Sequence, residues 1–175
     1  MAHRNIRVRD RNRIPEVIRN LGSVGKVKVG ILDSERQMIA AVHEFGCRIA
    51  VTDRMRNYLA AKGLYLKKET QYINIPERSF IRAGWDENEE EIVQKVEDLV
   101  NRALENGDSM NDIMETVGLL AKGRLQVYAR DLRNPANHPF TTEEKGSSNP
   151  LVDTGEMIGS MDYEVESDGE SFHFF

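Results

Sequence analysis

A single cysteine, Cys47, excludes an internal disulfide and suits a reducing compartment, where a lone thiol is ordinarily an inert core residue. No apolar run approaches the roughly 20 residues that cross a bilayer, which argues against a membrane role. The arginine-rich start has no apolar stretch behind it and does not read as a signal peptide. Recognisable catalytic groups are also missing. His43-Glu44 is half of a zinc-protease signature, but position 47 is Cys and no second histidine follows, so a helix-end histidine bonded to backbone is the simpler reading. Gly22-Ser23-Val24-Gly25-Lys26 lacks the glycine spacing and the hydroxyl residue of a phosphate loop. Asp86, Glu87, Glu89, Glu90 and Glu91 lack the alternating ligands and central glycine of a calcium loop. No serine, threonine or cysteine has a base and oxyanion context. These gaps point to a protein without enzymatic activity, cofactor or metal.

What is there is enough for one domain. With 39% hydrophobic and 30% charged residues over 175 positions, the chain has a modest core and is too apolar to be wholly disordered. Its net charge of −5 is unevenly spread. Residues 1–28 carry eight Arg or Lys against two acids, residues 86–115 eleven acids against Lys95 and Arg102, and residues 153–170 seven acids and no base. Such polarity suits either solvated faces or complementary surfaces on neighbouring copies.

Residues 1–22 read as a basic arm carrying Arg4, Arg7, Arg9, Arg11 and Arg13, with Ile14, Val17, Ile18 and Leu21 at helical spacing. Residues 23–175 read as a single α+β domain. Val27, Val29 and Ile31 alternate as in a half-buried strand. Asp33 caps a helix to Phe45 with Met38, Ile39 and Val42 inward and Gly46 as its stop. A short strand over 47–51, a helix capped by Thr52 and ending at Gly63, and a strand over 65–75 closed by Pro76 follow. Two long helices come next. The first, over 89–105, has Ile92, Val93, Val96, Leu99, Val100 and Ala103 inward and Glu89 to Glu91 in its first turn. The second starts at the Ser109–Asp112 capping box and turns Ile113, Met114, Val117, Leu120, Ala121 and Val127 inward. Their short connection predicts an antiparallel hairpin. Residues 131–150, broken by Pro135, Pro139 and Pro150, read as a long loop of the kind that is functional or disordered. Asp153-Thr154-Gly155 turns or caps over Met157, Ile158 and Met161, and Tyr163, Val165, Phe172 and Phe174 supply late strands.

Three segments stand out in fixed order: His43-Glu44-Phe45-Gly46, then Ile75-Pro76-Glu77-Arg78-Ser79-Phe80, then Asn149-Pro150-Leu151-Val152-Asp153-Thr154-Gly155. Together with Pro139, Thr142 and Lys145 between the last two, their order and spacing over residues 27–166 resemble the tail-completion or neck proteins of tailed bacteriophages. The family has an Ile-Pro-Ala-Arg-Pro-Phe-like segment where this chain has Glu77 and Ser79. It has Leu and Ile where this chain has Met157 and Met161, which keep the apolar volume. The resemblance implies an α+β fold, a mixed or mainly antiparallel sheet packed against two long antiparallel helices. It also implies a structural virion protein at the head–tail junction, made in the host cytoplasm, completing the tail as a ring of six or twelve copies. Its neighbours would be head–tail connector and tail-terminator or tail-tube proteins.

On this reading the partner contacts fall to the arginine arm and to Asn137, His138, Pro139, Phe140 and Lys145 of the long loop. The turn motifs Glu44, Phe45, Gly46, Pro76, Arg78, Phe80, Asp153, Thr154 and Gly155 shape the fold. The alternative is a DNA-binding accessory protein acting through Arg4 to Arg13, since each arginine can neutralise a phosphate.

Overall fold

The computed structural model describes residues 25–166, so the arginine arm and the last aromatic residues, Phe172 and Phe174, lie outside the described residues. The fold is α+β, with strands β1 (Lys26–Ile31), β2 (Cys47–Ala50), β3 (Tyr72–Ile75) and β4 (Met161–Glu166). The helices are α1 (Ser34–Phe45), α2 (Asp53–Ala61), α3 (Arg82–Asn106), α4 (Met110–Asp131), α5 (Pro139–Lys145) and α6 (Glu156–Gly159). None of these helices is long and apolar enough to cross a membrane.

Helix boundaries follow their local signals. Asp33 Oδ1 accepts from the Glu35 amide, Thr52 Oγ1 from Met55 and Ser109 Oγ from Asp112, satisfying first-turn donors that have no partner inside the helix. Gly46 ends α1 at φ 68° and ψ 167°, backbone that only glycine adopts without strain. A β-carbon there would sit 2.8 Å from the Glu77 nitrogen and 2.9 Å from the Ile75 oxygen.

The two long helices pack as an antiparallel hairpin across the Gly107 to Ser109 connection. Gly84, near the start of α3, lies against Leu125 and Tyr128 of late α4, and Glu91 pairs with Arg124. The antiparallel ribbon β1–β4, with Ile31 opposite Met161 and Lys26 opposite Glu166, packs on α4. The approach is close: a β-carbon on Gly118 would fall 2.3 Å from the Tyr163 ring. The core gathers Ile31, Ala40, Phe80, Leu125, Ala129, Leu151, Ile158 and Met161 where α1, the start of α3, late α4 and α6 meet. Phe80 and Ala129 are completely buried. Each large apolar side chain in this group contributes roughly 1.5–3 kcal/mol by leaving water.

The strands form two separate ribbons, because β2 pairs antiparallel only with β3. With α2 they make a lobe, residues 47–75, and no residue from Gly46 to Glu77 is buried.

Several sequence expectations change. Helix α3 starts at Arg82, so Glu89 to Glu91 lie beyond its first turn. The 65–75 strand is confined to Tyr72–Ile75. The preceding carbonyls of Leu66, Lys67 and Thr70 accept instead from the Arg56 guanidinium at 3.1, 2.9 and 2.8 Å. Met38 and Ile39 are exposed, while Ala40 and Glu44 form the buried side of α1. Val93 and Val127 also face outward, and Leu125 and Ala129 fill the core in their place. The 131–150 segment is not uniformly irregular: it contains α5, with Pro139 in its first turn, where a missing amide hydrogen costs nothing.

Candidate functional site

The first two motif segments, residues 43–46 and 75–80, close on each other around Glu44. This carboxylate is 4% exposed and accepts from the Ser79 hydroxyl (3.0 Å), the Ile81 amide (2.9 Å), the Arg82 amide (3.0 Å) and Arg82 Nε (3.0 Å). Ile81 and Arg82 open α3, whose own cap residue gives no side-chain bond. Glu44 therefore caps α3 from another element, placing a negative charge at the positive end of that helix. Burial pushes the Glu44 carboxyl up, but the two amides, Arg82 and Ser79 outweigh it and hold it below the usual carboxylate range. Arg82 reaches on to the Glu44 carbonyl and to Glu77, with its guanidinium 4.7 Å from the exposed ring of Phe45.

Arg78 makes the second half of the knot. It is 4% exposed, yet no carboxylate faces it among the described residues. Its guanidinium donates to the Pro135 carbonyl (2.8 Å), the Ala136 carbonyl (3.2 Å) and Asn137 Oδ1 (3.0 Å), and its amide to the His43 carbonyl (2.7 Å). Burial alone pulls it below the ordinary arginine value, which is high enough that it stays charged. His43 Nδ1 lies 3.5 Å from Arg78 Nη1. Burial first, then the charges of Arg78 and Lys145, lower the His43 imidazole from 6.5 to about 4, so it is neutral at pH 7.

The third segment is fixed by Asn149, 8% exposed. Its Oδ1 accepts from the Leu151 (2.7 Å) and Val152 (3.1 Å) amides, and its Nδ2 donates to the Arg130 carbonyl near the end of α4. Lys145 Nζ donates to the Pro150 carbonyl at 3.3 Å. Leu151 then enters the core beside Phe80. Asp153 and Thr154 are exposed, Thr154 Oγ1 accepts from the Glu156 amide (3.3 Å), and Gly155 opens α6 at φ 86°. Above the knot lies a groove of about 340 Å³ whose rim includes His43, Asn137, Lys145, Asp153 and Glu156.

The structure thus brings Glu44, Gly46, Arg78 and Phe80 together, and joins Asn137, Lys145 and Leu151 to the same hub. Pro76 and Phe45 stay exposed at its edge. Of the loop residues, His138 Nδ1 accepts from the Phe140 amide as the cap of α5, Pro139 is exposed and Phe140 half-buried. The hub also depends on Arg82, Ser79 and Asn149, which the sequence reading does not name as site residues. Asn before Pro is a turn signal that points to Asn149, whereas nothing local marks Arg82. Chemically, both Glu44 oxygens are occupied by donors and Arg78 is spent on carbonyls, so the arrangement fixes backbone rather than presenting a reactive group. Comparison with known protein families, with curated proteins and with solved structures finds no match for this chain.

Proposed function

We propose that this chain is a structural subunit of a bacteriophage neck, completing the tail and joining it to the head as a ring of six or twelve copies, without catalysis. One observation carries the reading. The motif segments on which the resemblance to neck proteins rests meet at a single buried hub, where Glu44, Arg78 and Asn149 tie helix ends and loops together. A protein that works by shape needs such residues inside, setting the angles of projecting segments. An enzyme would need comparable groups held open to a substrate. The 131–150 segment, which contains α5, is held from both ends, by Arg78 and by Asn149. On this reading a segment so fixed serves as a contact with a neighbouring ring.

A ring requires a heterologous contact, one face of each copy meeting a different face of the next. The test is native mass, measured for the chain alone and mixed with neck or tail proteins. Closed multiples of the subunit are expected; monomer under every condition contradicts the reading. The rival reading, DNA binding through Arg4 to Arg13, is separated by deleting residues 1–13. Loss of DNA retention with intact head–tail joining favours the rival.

A further inference from the structure

We infer that the lobe of residues 47–75 is the arm by which one subunit grips the next, its basic, tyrosine-bearing surface seating on the acidic outer stripe of α3 in a neighbouring copy. This rests on the proposed ring and names the two faces that form it.

The lobe does not explain itself within one subunit. A two-stranded ribbon is marginal in water unless a further layer covers it, and here no residue from Gly46 to Glu77 is buried. Instead the lobe holds Tyr58 at 62% exposure and Tyr65 at 80%, with Ile49 and Tyr72 also exposed. Exposed tyrosines on a rigid backbone are favoured at interfaces, because their rings bury much area for little lost freedom. The lobe is rigid locally. Arg56 ties down three carbonyls of the 66–70 turn, and Arg48 stacks 3.7 Å over the Tyr72 ring.

Charge selects the partner. Residues 47–75 carry six bases against Asp53 and Glu69, in a protein of net charge −5. Arg54, Lys67 and Lys68 are exposed and have no ion pair among the described residues. Along α3, Asp86, Glu90, Val93, Glu97 and Leu104 fall at helical spacings of three, four and seven and so share one outward face. All five are exposed, and the three acids are likewise without ion pairs among the described residues. The stripe thus mixes acid with apolar contact area, the complement of a surface that mixes bases with tyrosine. Both faces belong to the same chain and neither complements itself, which is the requirement for a head-to-tail contact that closes a ring.

The experiment compares the association of four chains by analytical ultracentrifugation at low and high salt: wild type, R54E/K67E/K68E, E90K/E97K, and all five substitutions together. All sites are exposed, and thermal melts verify folding; Y58A and V93A replace any set that fails to fold. Each single-face set should weaken association by roughly ten-fold or more at low salt, and the five-fold chain should recover it. Oligomers indifferent to all sets, or no recovery in the five-fold chain, overturn this contact and leave the ring standing. A wild type that is monomeric throughout, alone and with neck or tail proteins, removes the ring itself. Loss of DNA retention by R54E/K67E/K68E at unchanged mass makes the lobe a nucleic-acid surface and also overturns the inference.

Discussion

Glu44→Gln is the most incisive perturbation of the hub, because it keeps shape and removes charge. The best-placed amide oxygen replaces Oε1, which accepts from Ser79, the Arg82 amide and Arg82 Nε. The NH2 group then takes the place of Oε2 and faces the Ile81 amide at 2.9 Å, donor against donor. Leaving a buried amide unpaired costs about 1–3 kcal/mol. Losing the negative charge at the start of α3 costs about 0.3–1 kcal/mol more, and the remaining bonds lose their charge assistance. Arg82 is half exposed and rehydrates, so the full penalty of a broken buried ion pair does not apply. The sum is about 2–4 kcal/mol, equivalent to roughly 5–15 °C in melting temperature for a chain of this length. Urea unfolding should show a lower midpoint with an unchanged slope. Arg82→Gln should cost under about 1 kcal/mol, because the capped amides remain. A loss below about 1 kcal/mol for Glu44→Gln, or equal losses for the two variants, would refute the assignment of Glu44 as the cap of α3.

Other consequences are as definite. Arg78→Lys should cost about 2–3 kcal/mol, since one ammonium cannot reach three spread acceptors, and amide exchange should rise selectively at 134–138. His43 is neutral in the fold down to about 4 but protonates near 6.5 when unfolded, so stability should fall as pH drops from 6.5 toward 4. Solvent screening at a half-buried ring limits the loss to about 1–2 kcal/mol, and His43→Gln should flatten that slope in urea titrations. The Glu44 contribution, by contrast, is present above the ordinary carboxyl value of 4.5 and lost below it, as pH passes its lowered value. Gly46→Ala should cost about 2–4 kcal/mol by calorimetry, from a backbone only glycine tolerates and a clash with Glu77. A change under about 1 kcal/mol would show that the Gly46 turn can relax.

How much of this was legible in the chain depends on the range of each signal. Caps at Asp33, Thr52 and Ser109 and the stop at Gly46 act within one turn, and the corresponding helix ends lie where the sequence puts them. The start of α3 was hidden because its cap comes from Glu44, 37 residues before Ile81. Apolar spacing on α1 suggested Met38 and Ile39 as core, yet the buried pair is Ala40 and Glu44, a small residue and a charge that periodicity scores as outside. The 65–75 strand was cut short because Arg56 captures carbonyls that a ladder would use. Helix α5 was readable in principle from Pro139 after a capping His138, but the prolines of the segment masked it. For the site, the three segments were visible as turn motifs. That Arg78 and Glu44 are interior residues joining them was not, since a buried arginine met by backbone carbonyls, an asparagine side chain and a neutral histidine leaves no charge pattern in sequence.

Electron microscopy of phage particles assembled with an epitope-tagged copy of this chain, and of particles assembled without it, addresses the central proposal most directly. The account predicts label as a closed ring where head meets tail, and filled heads beside unattached tails when the chain is missing. Joined, infectious particles in its absence, or label anywhere else, would contradict it.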